Sequence, residues 1–125
     1  MTDKKALALI AHDNKKPEMV EFAVTHQDVL KNYDLCATEG TGKLLEDEVG
    51  LDLEKLLSGS IGGDAQIAAK VAQGDIGAVF FFVDPLSKHP HDPDIQGLLR
   101  ICDAHNIPLA TNPATAAYII SDKAL

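Results

Sequence analysis

Ala78-Val79-Phe80-Phe81-Phe82-Val83 runs without a polar residue between Gly77 and Asp84. A strand with one wet face alternates apolar and polar positions. An unbroken run therefore reads as a strand buried on both faces, as in a parallel sheet. Ala6 to Ala11 repeats the pattern, and shorter strand candidates are Asp34 to Thr38, Leu53 to Leu57 and Ile107 to Ala110. Helical patterns fall between them. Pro17 with Glu18 suits a first helical turn, and Met19, Val20, Ala23 and Val24 recur at helical spacing. Asp64 to Gln73 places Ile67, Ala68 and Val71 on one face before Gly74. Asp94 to His105 carries the stripe Ile95, Leu98, Leu99 and Cys102, while Gly42 to Val49 and the stretch from Ala114 onward are weaker helical patterns. The alternation predicts an α/β fold, a three-layer αβα sandwich around a mostly parallel five-stranded sheet, as a single domain over residues 1–125.

Composition narrows the function classes. A chain of 125 residues needs no staple to fold. Apolar residues make up 46% and charged residues 24%, ordinary values for a soluble domain. A net charge of −8, with acidic residues spread along the chain, argues against a nucleic-acid partner, which needs a basic face. It does not argue against a small anion held by a few local donors. The two cysteines, Cys36 and Cys102, stand apart in apolar stretches and read as small buried hydrophobes. No stretch resembles a secretory leader and no apolar run approaches membrane-spanning length, so a cytoplasmic protein without a membrane partner is expected.

Ligands of open parallel sheets bind outside the carboxyl ends of the strands. Polar residues gather there in this sequence: His12-Asp13, Thr38-Glu39-Gly40-Thr41-Gly42, Ser58-Gly59-Ser60, Asp84 and Thr111-Asn112 each follow a strand candidate. The Thr/Gly segment after the second strand suits a phosphate through hydroxyls, glycine-freed N–H groups and a helix N-terminus, though such a segment is also a common plain turn. It matches neither a dinucleotide fingerprint nor a Walker A loop. Glu39 fits beside a phosphate only if its side chain points away. Ser58 through Asp64 is a second glycine-rich segment meeting a helix. Asp64 is either that helix's N-cap or a carboxylate base that Gly62 and Gly63 let a substrate approach. In His89-Pro90-His91-Asp92-Pro93-Asp94 the prolines restrict where His91 and Asp94 point. Asp94 has the same N-cap alternative, and His91 reads as a neutral electrophile or proton shuttle rather than a metal ligand. One lysine of Lys15-Lys16 would supply positive charge beside His12, and Lys15 reads as a solvated helix start. His26 and His105 read as surface residues within helices.

These segments resemble the methylglyoxal synthase family. The matching pieces are Ala11-His12-Asp13 with Lys16, Ala37-Thr38 through Gly42, Ser58-Gly59, Gly62-Gly63-Asp64, Phe82 through Leu86, Pro90 through Asp94, and Ala110-Thr111-Asn112. They occur in the family's order over nearly the whole chain, and Gly-Gly-Asp with Pro-His-x-Pro-Asp is the specific part. The resemblance implies conversion of dihydroxyacetone phosphate to methylglyoxal and phosphate, with Asp64 as the base and His91 bonding the substrate oxygens. It implies that His12 contacts substrate, and that Lys16, Thr38, Thr41, Ser58 and Gly59 cradle the phosphate with backbone of Glu39 and Gly40. Asp13, Asp84 and Asp94 would be supporting acids. No metal or organic cofactor is implied, and the family's assembly is a homohexamer.

The chain departs from the family's pattern at Glu39-Gly40, at Ser60, where Pro is usual, and in ending at Leu125, earlier than many relatives. The Glu39-Gly40 version is similar to the loop in the regulatory domain of carbamoyl phosphate synthetase. A non-catalytic sensor of phosphorylated effectors is therefore the alternative reading, and a phospho-sugar isomerase a third. A sensor needs the phosphate loop but no base, so Asp64 and the segment of His91 and Asp94 favour the enzyme.

Overall fold

The computed structural model describes residues 6–86 and 92–121, with the backbone alone at 92–94. Strand β1 (Ala6–Ala11) is followed by a 3-10 turn (Asp13–Lys15) and helices α1 (Lys16–Thr25) and α2 (Gln27–Leu30). Then come β2 (Leu35–Ala37), α3 (Glu39–Val49), β3 (Glu54–Lys55), a 3-10 turn (Gly59–Ile61), α4 (Gly63–Ala72) and β4 (Ile76–Phe82). Helix α5 (Asp92–Ala104), β5 (Leu109–Ala110) and α6 (Pro113–Ser121) complete the order. The five strands lie in the order β3-β2-β1-β4-β5, and every pairing is parallel.

The two apolar runs become the centre of the sheet, with Leu9 opposite Phe80 and Ala11 opposite Phe82. Because successive strand residues face opposite ways, each run supplies two cores. Leu7, Leu9, Phe80 and Phe82 pack with Met19, Phe22 and Ala23 of α1, Leu45 of α3 and Ile120 of α6. Ala8, Ile10, Val79 and Phe81 pack with Ile67 and Val71 of α4 and Ile95, Leu98 and Cys102 of α5. The expected sandwich is therefore observed, with helices on both faces.

The differences are local. Val24, expected on the buried stripe of α1, is 54% exposed, and Phe22 occupies the core instead, edge-on to Phe80 and Phe82 at 5.5 Å. His26 stands between α1 and α2 rather than within a helix, its ring tilted 45° to that of Phe22 at 4.7 Å. His105 lies just past α5 and is exposed. Helix α3 starts at Glu39, three residues before the expected Gly42, so both glycines lie inside the helix, and Gly42 serves close packing rather than a turn. A Cβ on Gly42 would lie 2.7 Å from Lys55 Cγ and 2.9 Å from Leu53 Cδ1.

Both cysteines are buried and unbridged. Burial raises each thiol from its ordinary 9.0 to about 11. The folded state thus prefers the protonated thiol, and the stability this gives is complete below pH 9 and lost as pH rises toward 11. We expect iodoacetamide at pH 8 to leave the native protein unlabelled and to label both thiols after urea unfolding. The unfolding midpoint should fall between pH 9 and 11. Labelling of the native chain at the unfolded rate would contradict this burial.

Candidate active site

In the strand order β3-β2-β1-β4-β5 the chain leaves β1 toward one side and β4 toward the other, which opens a crevice at their carboxyl ends. A cavity of about 370 Å³ lies over the β1 to β3 side of this rim. A larger open depression of about 1030 Å³ lies at the opposite edge, lined by Ala6, Leu35, Glu54 and Ile76, where the strands begin. Helix N-termini following parallel strands point to the first site and not the second. The smaller cavity is therefore the chemical one.

Three strand ends build it. After β1, His12, Asp13 and Lys16 line the cavity. Asp84 N–H donates to His12 Nδ1 at 2.9 Å. That bond makes Nδ1 an acceptor, so a neutral imidazole carries its proton on Nε2 and is a donor there. Lys16 Nζ donates to Ala11 O at 3.2 Å and pairs with Asp13 Oδ1 at 2.5 Å. A lysine at the first position of α1 opposes the helix dipole, which is the cost of holding an ammonium at this rim.

After β2, Thr38 adopts the extended geometry of an N-cap but makes no side-chain capping bond. The first N–H groups of α3, at Glu39, Gly40 and Thr41, have no carbonyl one turn back within the helix. Gly40 lies beside Lys16, and a Cβ there would be in van der Waals contact with Lys16 Cε at 3.4 Å. The helix terminus and the cation thus share one wall. The Glu39 side chain is exposed and does not line the cavity, as a phosphate beside this turn requires. Thr41 Oγ1 accepts the Ala11 N–H at 3.1 Å and lies 3.4 Å from Ala11 O, tying α3 to the end of β1.

After β3, Ser58, Gly59 and Ser60 line the cavity. Ser58 O accepts from Ile61 N–H at 3.1 Å and Gly63 N–H at 2.9 Å, closing the loop on itself. Leu57 N–H donates to Gln66 Oε1 at 2.8 Å, which staples the loop to α4. Gly62 has φ +112°, a conformation natural only to glycine. It is also the N-cap of α4, so Asp64 is the second helical residue and not a cap. Asp64 lines the cavity and is wholly buried, at the turn where helix N–H groups favour negative charge.

The β4 end joins through Asp84, which is buried, takes Asn14 Nδ2–H on Oδ2 at 2.9 Å and Leu86 N–H on Oδ1 at 3.0 Å. His91 lies outside the described residues. Helix α5 begins at Asp92, so Asp94 falls inside its first turn and is not the N-cap. Among the described residues no group of three His, Cys, Asp or Glu side chains is placed to hold a metal ion, and no helix is long and apolar enough to cross a membrane. Asn14 and Gln66 were not singled out from the sequence, since their partners lie 70 and 9 residues away and neither belongs to a recognisable motif.

Comparisons with known proteins show the family to which this fold and sequence belong. The MGS-like domain family matches residues 18–111. A methylglyoxal synthase of Clostridium botulinum (strain Eklund 17B / Type B) is 53% identical over 114 residues, covering 91% of this chain and 96% of the relative. One of Thermus thermophilus is 53% identical over 117 residues, covering 94% and 93%. The crystal structure of methylglyoxal synthase from Elizabethkingia anophelis NUHP1 superposes with a TM-score of 0.90 at 40% identity, covering 97% of this chain and 80% of that one.

Proposed function

Since the chain belongs to the methylglyoxal synthase family, we infer that its rim cavity converts dihydroxyacetone phosphate to methylglyoxal and inorganic phosphate. The observation that carries the reading is a buried carboxylate, Asp64, in the same cavity as a lysine and an uncapped helix N-terminus. A phosphate monoester fits the N-terminus of α3 with Lys16 beside it, within reach of Thr38, Thr41, Ser58, Gly59 and the N–H groups of Glu39 and Gly40. Asp64 takes a proton from the hydroxyl-bearing carbon, and the electron pair forms an enediolate. His12 Nε2–H, together with His91, donates to the oxygens where that charge develops. The enediolate then expels phosphate as its C–O bond breaks, and the resulting enol takes up a proton at carbon to become methylglyoxal. Asp13 holds Lys16, Asp84 sets His12, and Asp94 supports the segment of His91. Binding, deprotonation and elimination need no metal or organic cofactor in this scheme.

Phosphate is the leaving group, so the contacts that grip it also favour its departure. Lys16→Met should raise KM and weaken inorganic phosphate binding by roughly 10- to 100-fold, the worth of one hydrogen bond to a charged group. Isothermal titration with phosphate reads this directly, and unchanged affinity would remove Lys16 from the cradle. The test of the function is to incubate purified protein with dihydroxyacetone phosphate and assay methylglyoxal and free phosphate. Absence of both products, with phosphate binding intact, would favour an effector sensor.

The reading extends to a cytoplasmic homo-oligomer, a hexamer by family resemblance, built from this single domain over residues 1–125. Leu86 at 93% exposure, Tyr118 at 69% and Ile61 at 66% are apolar surface that contacts between copies would cover. Sedimentation equilibrium tests it.

A further inference from the structure

Beyond the last paired residues of β1 and β4, their tails remain stitched together. His12 N–H donates to Phe82 O at 3.1 Å, and Asp84 N–H donates back to His12 Nδ1 at 2.9 Å. Asn14 Nδ2–H donates to Asp84 Oδ2 at 2.9 Å, and Leu86 N–H to Oδ1 at 3.0 Å. We propose that Asn14 is a positioning residue, holding Asp84 so that its peptide N–H keeps His12 in the Nε2–H form that the proposed reaction uses. The proposal rests on the reading of this cavity as a synthase site.

The clasp closes in both directions: the β1 tail bonds the Asp84 side chain, and the Asp84 backbone bonds the β1 tail. Residue 84 lies past the end of β4, so the sheet ladder itself no longer fixes its peptide plane. Asn14 reaches it from the tight 3-10 turn that directly follows His12, which couples the two bonds within a few atoms. Asn14 is itself exposed, so packing does not explain the residue; its amide is the part in use. An amide donates without charge, whereas an aspartate here would offer only acceptors to a carboxylate. If the clasp opens, Asp84 N–H can turn away, and His12 can then carry its proton on Nδ1. Nε2, the donor in the proposed reaction, would become an acceptor, the wrong polarity for a developing oxyanion.

The test compares Asn14→Ala, Asn14→Asp and Asn14→His, the last keeping an N–H at nearly the reach of the amide. Two readouts are taken: steady-state kinetics with dihydroxyacetone phosphate, and the ring-nitrogen NMR shifts of His12 without substrate. Asn14→Ala should lower kcat about 3- to 10-fold with KM nearly constant, as expected for the loss of one part-exposed hydrogen bond that acts through another residue. Asn14→Asp should lower it further, and Asn14→His should restore most of it. In the Ala and Asp variants the His12 nitrogens should shift from a single Nε2–H tautomer toward a mixture, with the melting temperature nearly unchanged. A parent-like His12 spectrum in Asn14→Ala would overturn the proposal, and so would a kcat loss that follows melting temperature and is not rescued by His. The NMR readout needs no turnover, so an inactive parent protein would refute the proposed function while the tautomer still decides the role of Asn14.

Discussion

Asp64→Asn is expected to lower kcat by roughly 10²–10⁴-fold, the usual worth of a positioned general base. The amide keeps the shape of the carboxylate but cannot accept a proton from carbon. Because Asp64 belongs to α4 and the proposed phosphate contacts come from Lys16 and the start of α3, phosphate affinity should stay within about threefold of the parent. Kinetics and phosphate titration on the same preparation separate the two effects. A variant with parental turnover would remove Asp64 as the base, and one with no phosphate binding would show that its charge organises the site instead.

The second large effect is expected at Gly63, through the backbone. A Cβ there would overlap the Leu57 carbonyl oxygen and lie 2.9 Å from both the Leu57 carbonyl carbon and Thr38 Cγ2. The first two of those atoms are main chain and cannot rotate aside, so α4 would have to withdraw and carry Asp64 with it. Overpacking of this kind costs roughly 1–3 kcal/mol and sometimes more. Gly63→Ala should therefore lower the melting temperature by about 4–12 °C and reduce turnover in the protein that stays folded. Gly97→Ala is the matching control: nothing described lies within 4 Å of its Cβ position in α5, so alanine should stabilise by roughly 0.5–1 kcal/mol. A calorimetric scan in which Gly63→Ala matches the parent would contradict the tight approach of α4 to the loop.

These two residues also show what was legible before the structure. The apolar runs at Ala6–Ala11 and Ala78–Val83 announced a sheet buried on both faces, and strand ends rich in hydroxyls, glycines and acids announced the rim. Asp64 was ambiguous, because a helix cap and a base look alike in sequence. The structure excludes the cap by putting Gly62 in that position. The Thr/Gly segment had the opposite fate: it read as a loop, yet helix α3 already includes Glu39 through Gly42. Glycine's helical penalty is outweighed there by the close approach of Lys55 and Leu53, which only the packed fold reveals. Phe22 displaced Val24 from the core for a similar reason, since three aromatic rings meet edge-on across α1 and β4. The bonds of Asn14 to Asp84 and Gln66 to Leu57 were illegible because they join single polar atoms across tertiary space, and no periodicity marks them.

The most direct measurement of the whole account is a ³¹P and ¹H NMR time course of the wild-type protein with dihydroxyacetone phosphate. Inorganic phosphate and methylglyoxal should rise together in equal amounts as the substrate signal falls, and the Asp64→Asn variant should show neither. Accumulation of glyceraldehyde 3-phosphate without free phosphate would make the protein an isomerase. Substrate that binds and persists unchanged would make it a sensor, and either result would contradict the function inferred from this site.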